Sequence, residues 1–254
     1  MSIFRSKIIS SVFAHALSQD CTLCGVRSHE NLCAACTRDL PFRQTPGCPR
    51  CNAEGVQQQL CGACLSDPPH FDHTASAFDY AYPLDRLIQA YKFNANLGLL
   101  PLFADALVRA VRSSDSSVTT DLVIALPLAS GRLAERGFNQ SALLGESVAR
   151  ALAIQFEVRG MLRVRETPPQ SGLSRDARLK NVRGAFSCEQ RLDGLRVAVV
   201  DDVMTTGATL SEAAKALKKA GAAQVSAWVI ARASKNGALI LRESETVPFE
   251  NSQN

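Results

Sequence analysis

Arg196-Val-Ala-Val-Val-Asp-Asp-Val-Met-Thr-Thr-Gly-Ala-Thr-Leu-Ser-Glu-Ala-Ala-Lys-Ala-Leu-Lys-Lys-Ala-Gly221 reads as strand, loop and helix. Val197 to Val200 is a continuous apolar run, as expected for a parallel strand buried on both faces. Asp201 and Asp202 stand at its carboxyl end, and Thr205-Thr206-Gly207-Ala208-Thr209 follows. Leu210, Ala213, Ala214 and Leu217 then recur at helical spacing, with Glu212 and Lys215 placed to pair on the outer face. Gly221 suits a helix stop.

A helix start presents unpaired N–H groups and the positive end of the helix dipole. The hydroxyls of Thr205, Thr206 and Thr209 add donors, and Gly207 allows close backbone approach. Together they form a cradle for a phosphate monoester. Asp201 and Asp202 would repel phosphate, but they can accept hydrogen bonds from vicinal hydroxyls or sit near a divalent cation. Phosphate on one side and a diol on the other describe a ribose 5-phosphate. Ligands of open α/β sheets bind at the carboxyl ends of strands, where this loop lies. A metal site of a receiver or phosphatase domain and an ordinary strand–helix connection are the rival readings. The chain contains neither G-x-x-x-x-G-K-[ST] nor G-x-G-x-x-G, so other nucleotide-binding loops lack support.

At these residues the sequence resembles the type I phosphoribosyltransferases, which bind 5-phosphoribosyl 1-pyrophosphate (PRPP) at this fingerprint. The resemblance implies that Asp201 and Asp202 hold the ribose hydroxyls, with Mg²⁺ accompanying PRPP, and that Thr205, Thr206, Gly207, Ala208 and Thr209 hold the 5-phosphate. The expected fold is an α/β parallel sheet flanked by helices, preceded by a small cysteine-rich module.

That module is read from the cysteines. Eight of the nine fall into four Cys-x-x-Cys pairs: Cys21/Cys24, Cys33/Cys36, Cys48/Cys51 and Cys61/Cys64. Each pair can aim two thiolates at one ion, and tetrahedral Zn²⁺ takes four, so the spacing predicts about two structural zinc ions. Sequential sharing of the pairs needs only short loops. So few large apolar residues lie between the cysteines that this stretch would not fold without a staple. A disulfide framework is the rival. His29, His70 and His73 read as surface or packing residues, and Cys188 as a small, partly buried one.

The 254 residues suit one full domain plus a small module, and 46% apolar content supports a real core. The net charge of +4 does not by itself imply nucleic acid, and no apolar run is long enough for a transmembrane helix. The expected divisions are an N-terminal helix over residues 1–20, the zinc-ribbon-like module over 21–66, the main domain over 72–233 and a polar tail over 234–254. The N-terminal stretch imitates a secretory signal, but Ser10 and Ser11 break its short apolar part. A zinc module and a PRPP site both suit a reducing cytoplasm, the expected location.

Between module and fingerprint, the pattern predicts a strand over Thr74 to Tyr82 and helices over Leu84 to Phe93 and Pro101 to Val111. A second buried strand follows over Asp121 to Pro127, then a loop over Leu128 to Gly137 and a helix from Gln140 to about Leu152. A final strand spans Gln224 to Ala231. Lys92 ends the first helix and by itself reads as a solvated lysine, its candidacy for a pyrophosphate group or DNA resting on the resemblance given next, whereas Arg132 and Arg136 lie in the loop and are candidates for a pyrophosphate group or DNA. Residues 163–184 are basic, and Arg175, Arg178 and Arg183 there could close over phosphates or bind a nucleic-acid backbone. No aromatics interleave that segment, so base stacking is not indicated.

Three further passages carry a closer resemblance: Tyr91-Lys-Phe93, Arg136-Gly-Phe-Asn-Gln140, and Gln170…Leu173…Arg178…Asn181…Gly184-Ala-Phe186. With the cysteine module and the fingerprint, they are similar to the ComF/GntX family. That resemblance implies a bacterial, cytoplasmic protein tied to uptake or use of external DNA, with PRPP or a related ribose 5-phosphate as ligand. It leaves two functions open. One is a phosphoribosyltransferase with an unknown acceptor. The other is a non-catalytic protein that binds single-stranded DNA or a partner in the DNA-uptake machinery on this scaffold.

Overall fold

The computed structural model describes residues 19–54, 59–114, 119–165 and 180–234. The expected N-terminal helix, apart from residues 19–20, the basic residues Arg175 and Arg178, and the tail beyond 234 lie outside the described residues.

The cysteine module opens with a short antiparallel pair, β1 (Gln19–Asp20) and β2 (Arg27–Ser28), followed by the single-turn helices α1 (Ala34–Arg38) and α2 (Gly62–Ser66). The main domain runs β3 (His73–Asp79), α3 (Leu84–Phe93), a 3₁₀ turn at Leu97–Leu99, α4 (Leu100–Ser113), β4 (Leu122–Ala125), α5 (Ser130–Arg136), α6 (Gln140–Leu152) and β5 (Gln155–Glu157). A small antiparallel pair follows, β6 (Leu162–Arg163) and β7 (Phe186–Ser187). The chain then completes β8 (Arg196–Met204), α7 (Ala208–Lys219) and β9 (Gln224–Arg232).

Five strands form one parallel sheet in the order β3-β9-β8-β4-β5. Alternation along the strands divides the core in two. Val123, Ala198, Val200, Trp228 and Ile230 face one side with α3, α4 and α6. Leu122, Ile124, Val197, Val199, Val225, Ala227 and Val229 face the other with α7. Apolar side chains on both faces explain why these strands read as unbroken hydrophobic runs.

The module covers the edge strand β3. Phe42 bridges to Phe78, Asp79 N–H donates to Pro41 O at 3.0 Å, and Arg43 N–H donates to Ala77 O at 3.0 Å. The otherwise unpaired sheet edge is thereby closed. The two cysteine quartets fall on opposite sides: Cys21, Cys33 and Cys36 join the core on the α3–α4 face, and Cys48, Cys51, Cys61 and Cys64 join the core on the α7 face.

Three local expectations change. The stretch 128–137 is not all loop: Ser130–Arg136 makes two turns of helix, stopped by Gly137 at φ 75°. Polar Arg132, Glu135 and Arg136 hid its period. β8 extends through Met204, so the aspartates lie within the strand rather than after it. Glu212 does not turn toward Lys215; its Oε1 accepts from Gly184 N–H at 2.7 Å, tying α7 to the approach to β7.

Candidate functional site

β8 outlasts its neighbour β4. The β4 pairing ends at Ala125 with Val200, and Asp201 and Asp202 follow, backed only by β9. Their carboxylates are met by the start of α6. Gln140 Nε2 donates to Asp202 Oδ2 at 2.8 Å, and Ser141 Oγ donates to Asp201 Oδ1 at 3.1 Å. Lys92, at the end of α3, reaches Asp202 Oδ1 at 2.9 Å. Asp202 is only 6% exposed, so this pairing is what keeps it ionised.

The two acids therefore differ. Burial and the neighbouring charge of Asp202 push the Asp201 carboxyl up to about 7. Burial also opposes ionisation of Asp202, but the Lys92 charge and the hydrogen bonds from Lys92 and Gln140 outweigh it and hold Asp202 below the usual carboxylate value.

The motif Arg136-Gly-Phe-Asn-Gln140 assembles this arrangement. The Arg136 guanidinium sits over the Phe93 ring at 4.8 Å. Gly137 supplies the left-handed turn between α5 and α6. Phe138 packs edge-on to Tyr91 at 6.3 Å. Asn139 caps α6 by accepting from Ser141 and Ala142 N–H, and its amide donates to Leu126 O at 3.1 Å. Tyr91 OH donates to the Gln140 carbonyl at 3.1 Å, which joins α3 to the same turn.

On the other side of the acids, Thr205 to Gly207 lead into α7. Gly207 is the N-cap residue with φ 78°, and a side chain there would stand 3.4 Å from the Phe71 ring. Thr206 Oγ1 accepts from Ala208 N–H at 3.3 Å, which braces the loop locally.

A cleft of about 160 Å³ joins these parts: Lys92, Arg132, Arg136 and Arg163 line it with Asp201, Asp202 and the loop through Thr209. Arg163, on β6, opens the basic stretch 163–184 that could close over phosphates, and its place beside β7 brings it to the cleft. Arg183 does not line the cleft; it is exposed, and its carbonyl accepts from Arg165 Nη2 at 2.6 Å. A larger cleft of about 790 Å³ opens between the cysteine module and α4, beside the first residues of β3 and β9, and is lined by neither Asp201, Asp202 nor the loop from Thr205 to Thr209.

Each cysteine quartet gathers its four thiol sulfurs within 4.8 Å of one another, Cys21/Cys24/Cys33/Cys36 in one and Cys48/Cys51/Cys61/Cys64 in the other. Cys24 and Cys33 sulfurs are 3.7 Å apart, and those of Cys51 and Cys61 are 3.5 Å apart. Tetrahedral Zn–S bonds of about 2.3 Å put sulfurs about 3.8 Å apart, so both quartets are suited to a closed structural zinc site. The pairs are shared sequentially.

Residues 12–65 match the double zinc ribbon domain, and residues 139–246 match the phosphoribosyl transferase domain. The DNA utilization protein YhgH of Salmonella typhimurium is 36% identical over 219 residues, covering 84% of this chain and 96% of that protein. The chain belongs to the ComF/GntX family. Competence protein F of Haemophilus influenzae is 35% identical over 209 residues, covering 80% of this chain and 90% of that protein. Competence protein ComFC of Streptococcus pneumoniae is 27% identical over 203 residues, covering 79% and 87%. Among the described residues, no helix of this ComF/GntX member is long and apolar enough to cross a membrane.

Gln140 and Ser141 were not singled out from the sequence. Gln140 belongs to the motif that carried the closer resemblance, and that was the signal available. Ser141 carried none, because its role depends on a chain segment sixty residues away.

Proposed function

We propose that this ComF-type protein binds PRPP, or a related ribose 5-phosphate, together with Mg²⁺, and acts in the uptake or use of external DNA. The observation that carries the reading is the single cleft in which two carboxylates, a threonine loop at a helix start and three basic side chains from α3 and α5 converge. Relatives named for DNA utilization and competence support the cellular assignment.

In this reading the 5-phosphate takes the loop from Thr205 to Thr209. Asp201, held by one serine hydroxyl, keeps acceptor capacity for a ribose hydroxyl. Asp202 is more fully engaged, because Val203 N–H also donates to its Oδ1 at 2.6 Å. Lys92, Arg132 and Arg136 face the pyrophosphate, and Lys92 exchanges its contact with Asp202 for one with the ligand. Mg²⁺ carried in with PRPP would neutralise part of the pyrophosphate charge. In transfer, the bond from C1 to pyrophosphate breaks with its electron pair leaving on pyrophosphate, and the acceptor's lone pair forms the new bond. The protein's part is positioning and charge stabilisation.

Calorimetric titration with PRPP and Mg²⁺, and separately with single-stranded DNA, tests the reading. Asp201→Asn combined with Asp202→Asn is expected to lower PRPP affinity about a hundredfold or more, since charge-assisted hydrogen bonds to the ribose are replaced by weaker ones. A double variant with wild-type PRPP affinity overturns the assignment of the acids. DNA binding without any PRPP binding in the wild type would favour the non-catalytic reading.

A further inference from the structure

Arg232 is the last residue of β9, and its guanidinium joins two parts of the molecule that are distant in sequence. Nε donates to the Cys51 carbonyl at 2.9 Å. Nη1 faces the carbonyls of Met204 at 3.1 Å, of Thr205 and of Ala233 at 2.8 Å. One partner belongs to the second cysteine quartet, and two belong to the start of the phosphate loop.

Peptide planarity turns these contacts into an orientation. The C=O and N–H of a trans peptide point in opposite directions. The Met204 carbonyl is also held by Ala233 N–H at 2.9 Å, so the Thr205 carbonyl is the one that depends on Arg232; tying it back aims the N–H of Thr206 away from the guanidinium, on the side where these residues line the cleft. An anion-binding loop needs its amides aimed outward before the ligand arrives.

The charge of Arg232 has a matching partner in the quartet. Among the described residues its hydrogen-bond acceptors are neutral carbonyls, and no carboxylate pairs with it. Four thiolates on one Zn²⁺ carry a net charge of −2, whereas four thiols carry none. Zinc in the second quartet would both fix the knuckle that presents the Cys51 carbonyl and supply the negative charge beside the guanidinium. The first quartet packs on the opposite sheet face, away from the threonine loop.

We propose that Arg232 is a positioning residue that couples the second zinc site to the phosphate loop, so that metal in that quartet sets the orientation of the amides that receive the ligand's phosphate. The inference deepens the PRPP reading and names the regulation of that site: zinc lost from the second quartet disables phosphate binding, and zinc lost from the first does not do so by this route.

The test uses Arg232→Lys in the full chain, read by zinc content, melting midpoint, PRPP/Mg²⁺ titration and amide hydrogen exchange over residues 203–210. Lysine keeps the charge but cannot span the Cys51 carbonyl and the loop carbonyls together. The expected result is two retained zinc ions, at least about a tenfold loss of PRPP affinity, and faster exchange confined to the loop. Unchanged loop exchange in a folded, zinc-loaded variant overturns the proposal. If the wild type binds no PRPP, the ligand reading fails while the exchange measurement still judges the coupling. If Arg232→Lys does not fold, the wild type under stepwise chelation replaces it. Loop amides should stay protected while zinc leaves the first quartet and lose protection when it leaves the second. Protection that follows the first quartet, or neither, overturns the proposal.

Discussion

The two cysteine quartets repeat the same Cys-x-x-Cys pattern, yet the fold uses them differently. In the first, Cys21 is buried, Cys24 is exposed, and Cys33 and Cys36 are intermediate. It rests on the α3–α4 face, where Asn31 Nδ2 donates to Gly98 O at 2.9 Å and Asn96 Nδ2 donates to Thr22 Oγ1 at 3.3 Å. These contacts brace the chain just after Lys92. In the second quartet all four cysteines are buried. It shares a core with Phe71, Met204 and Leu210, beneath the threonine loop. Metal-ligand spacing sets the chemistry of a site, and its tertiary surroundings set what depends on it. One quartet supports the Lys92 side of the cleft, and the other supports the threonine loop.

The largest expected effect separates the quartets directly. Cys61→Ser should remove one zinc ion and lower the melting midpoint by about 10 °C or more, because a fully packed site is tied to the domain core. Cys24→Ser, at an exposed ligand on the other face, should lower it by about half as much. Metal analysis with thermal melts checks both, and equal shifts would mean that burial does not distinguish the sites.

The next contrast lies between the adjacent acids. Asp202→Asn removes the partner of Lys92 and should cost about 2–3 kcal/mol in urea unfolding, discounted because Lys92 retains some exposure. Asp201→Asn should leave the unliganded protein as stable or more so above neutral pH. The sign follows from the raised value. Asp201 binds its proton up to about pH 7 in the native state, whereas the unfolded chain releases it near pH 4. Its contribution to stability therefore falls as pH rises through that window. PRPP affinity should rise through the same window as the carboxylate forms. Both trends should disappear in Asp201→Asn, which melts and titrations between pH 5 and 8 would show.

Smaller effects sharpen the comparison at the two supports. Gly207→Ala places a side chain at φ 78° and 3.4 Å from Phe71, and should cost about 1–2 kcal/mol while weakening phosphate binding. Asn31→Ala removes one hydrogen bond at the first quartet's edge and should cost about 0.5–1 kcal/mol, with little effect on the loop. Denaturant midpoints resolve the first, and hydrogen exchange near residues 96–100 resolves the second.

The sequence by itself determined the elements whose signals are local. Apolar runs marked β4 and β8, helical spacing marked α3, α6 and α7, and short loops between cysteine pairs implied the sequential sharing seen in the structure. Only the tertiary structure decided how those elements meet. Sheet order places α6 beside the end of β8, so Gln140 and Ser141 become the partners of Asp202 and Asp201. The chain's passage around the β3 edge puts the quartets on opposite faces, and β8–β9 register brings Arg232 to Met204 and Thr205. Periodicity and spacing report on neighbours within a few residues. These contacts span tens of residues and arise from sheet register, which no single segment encodes.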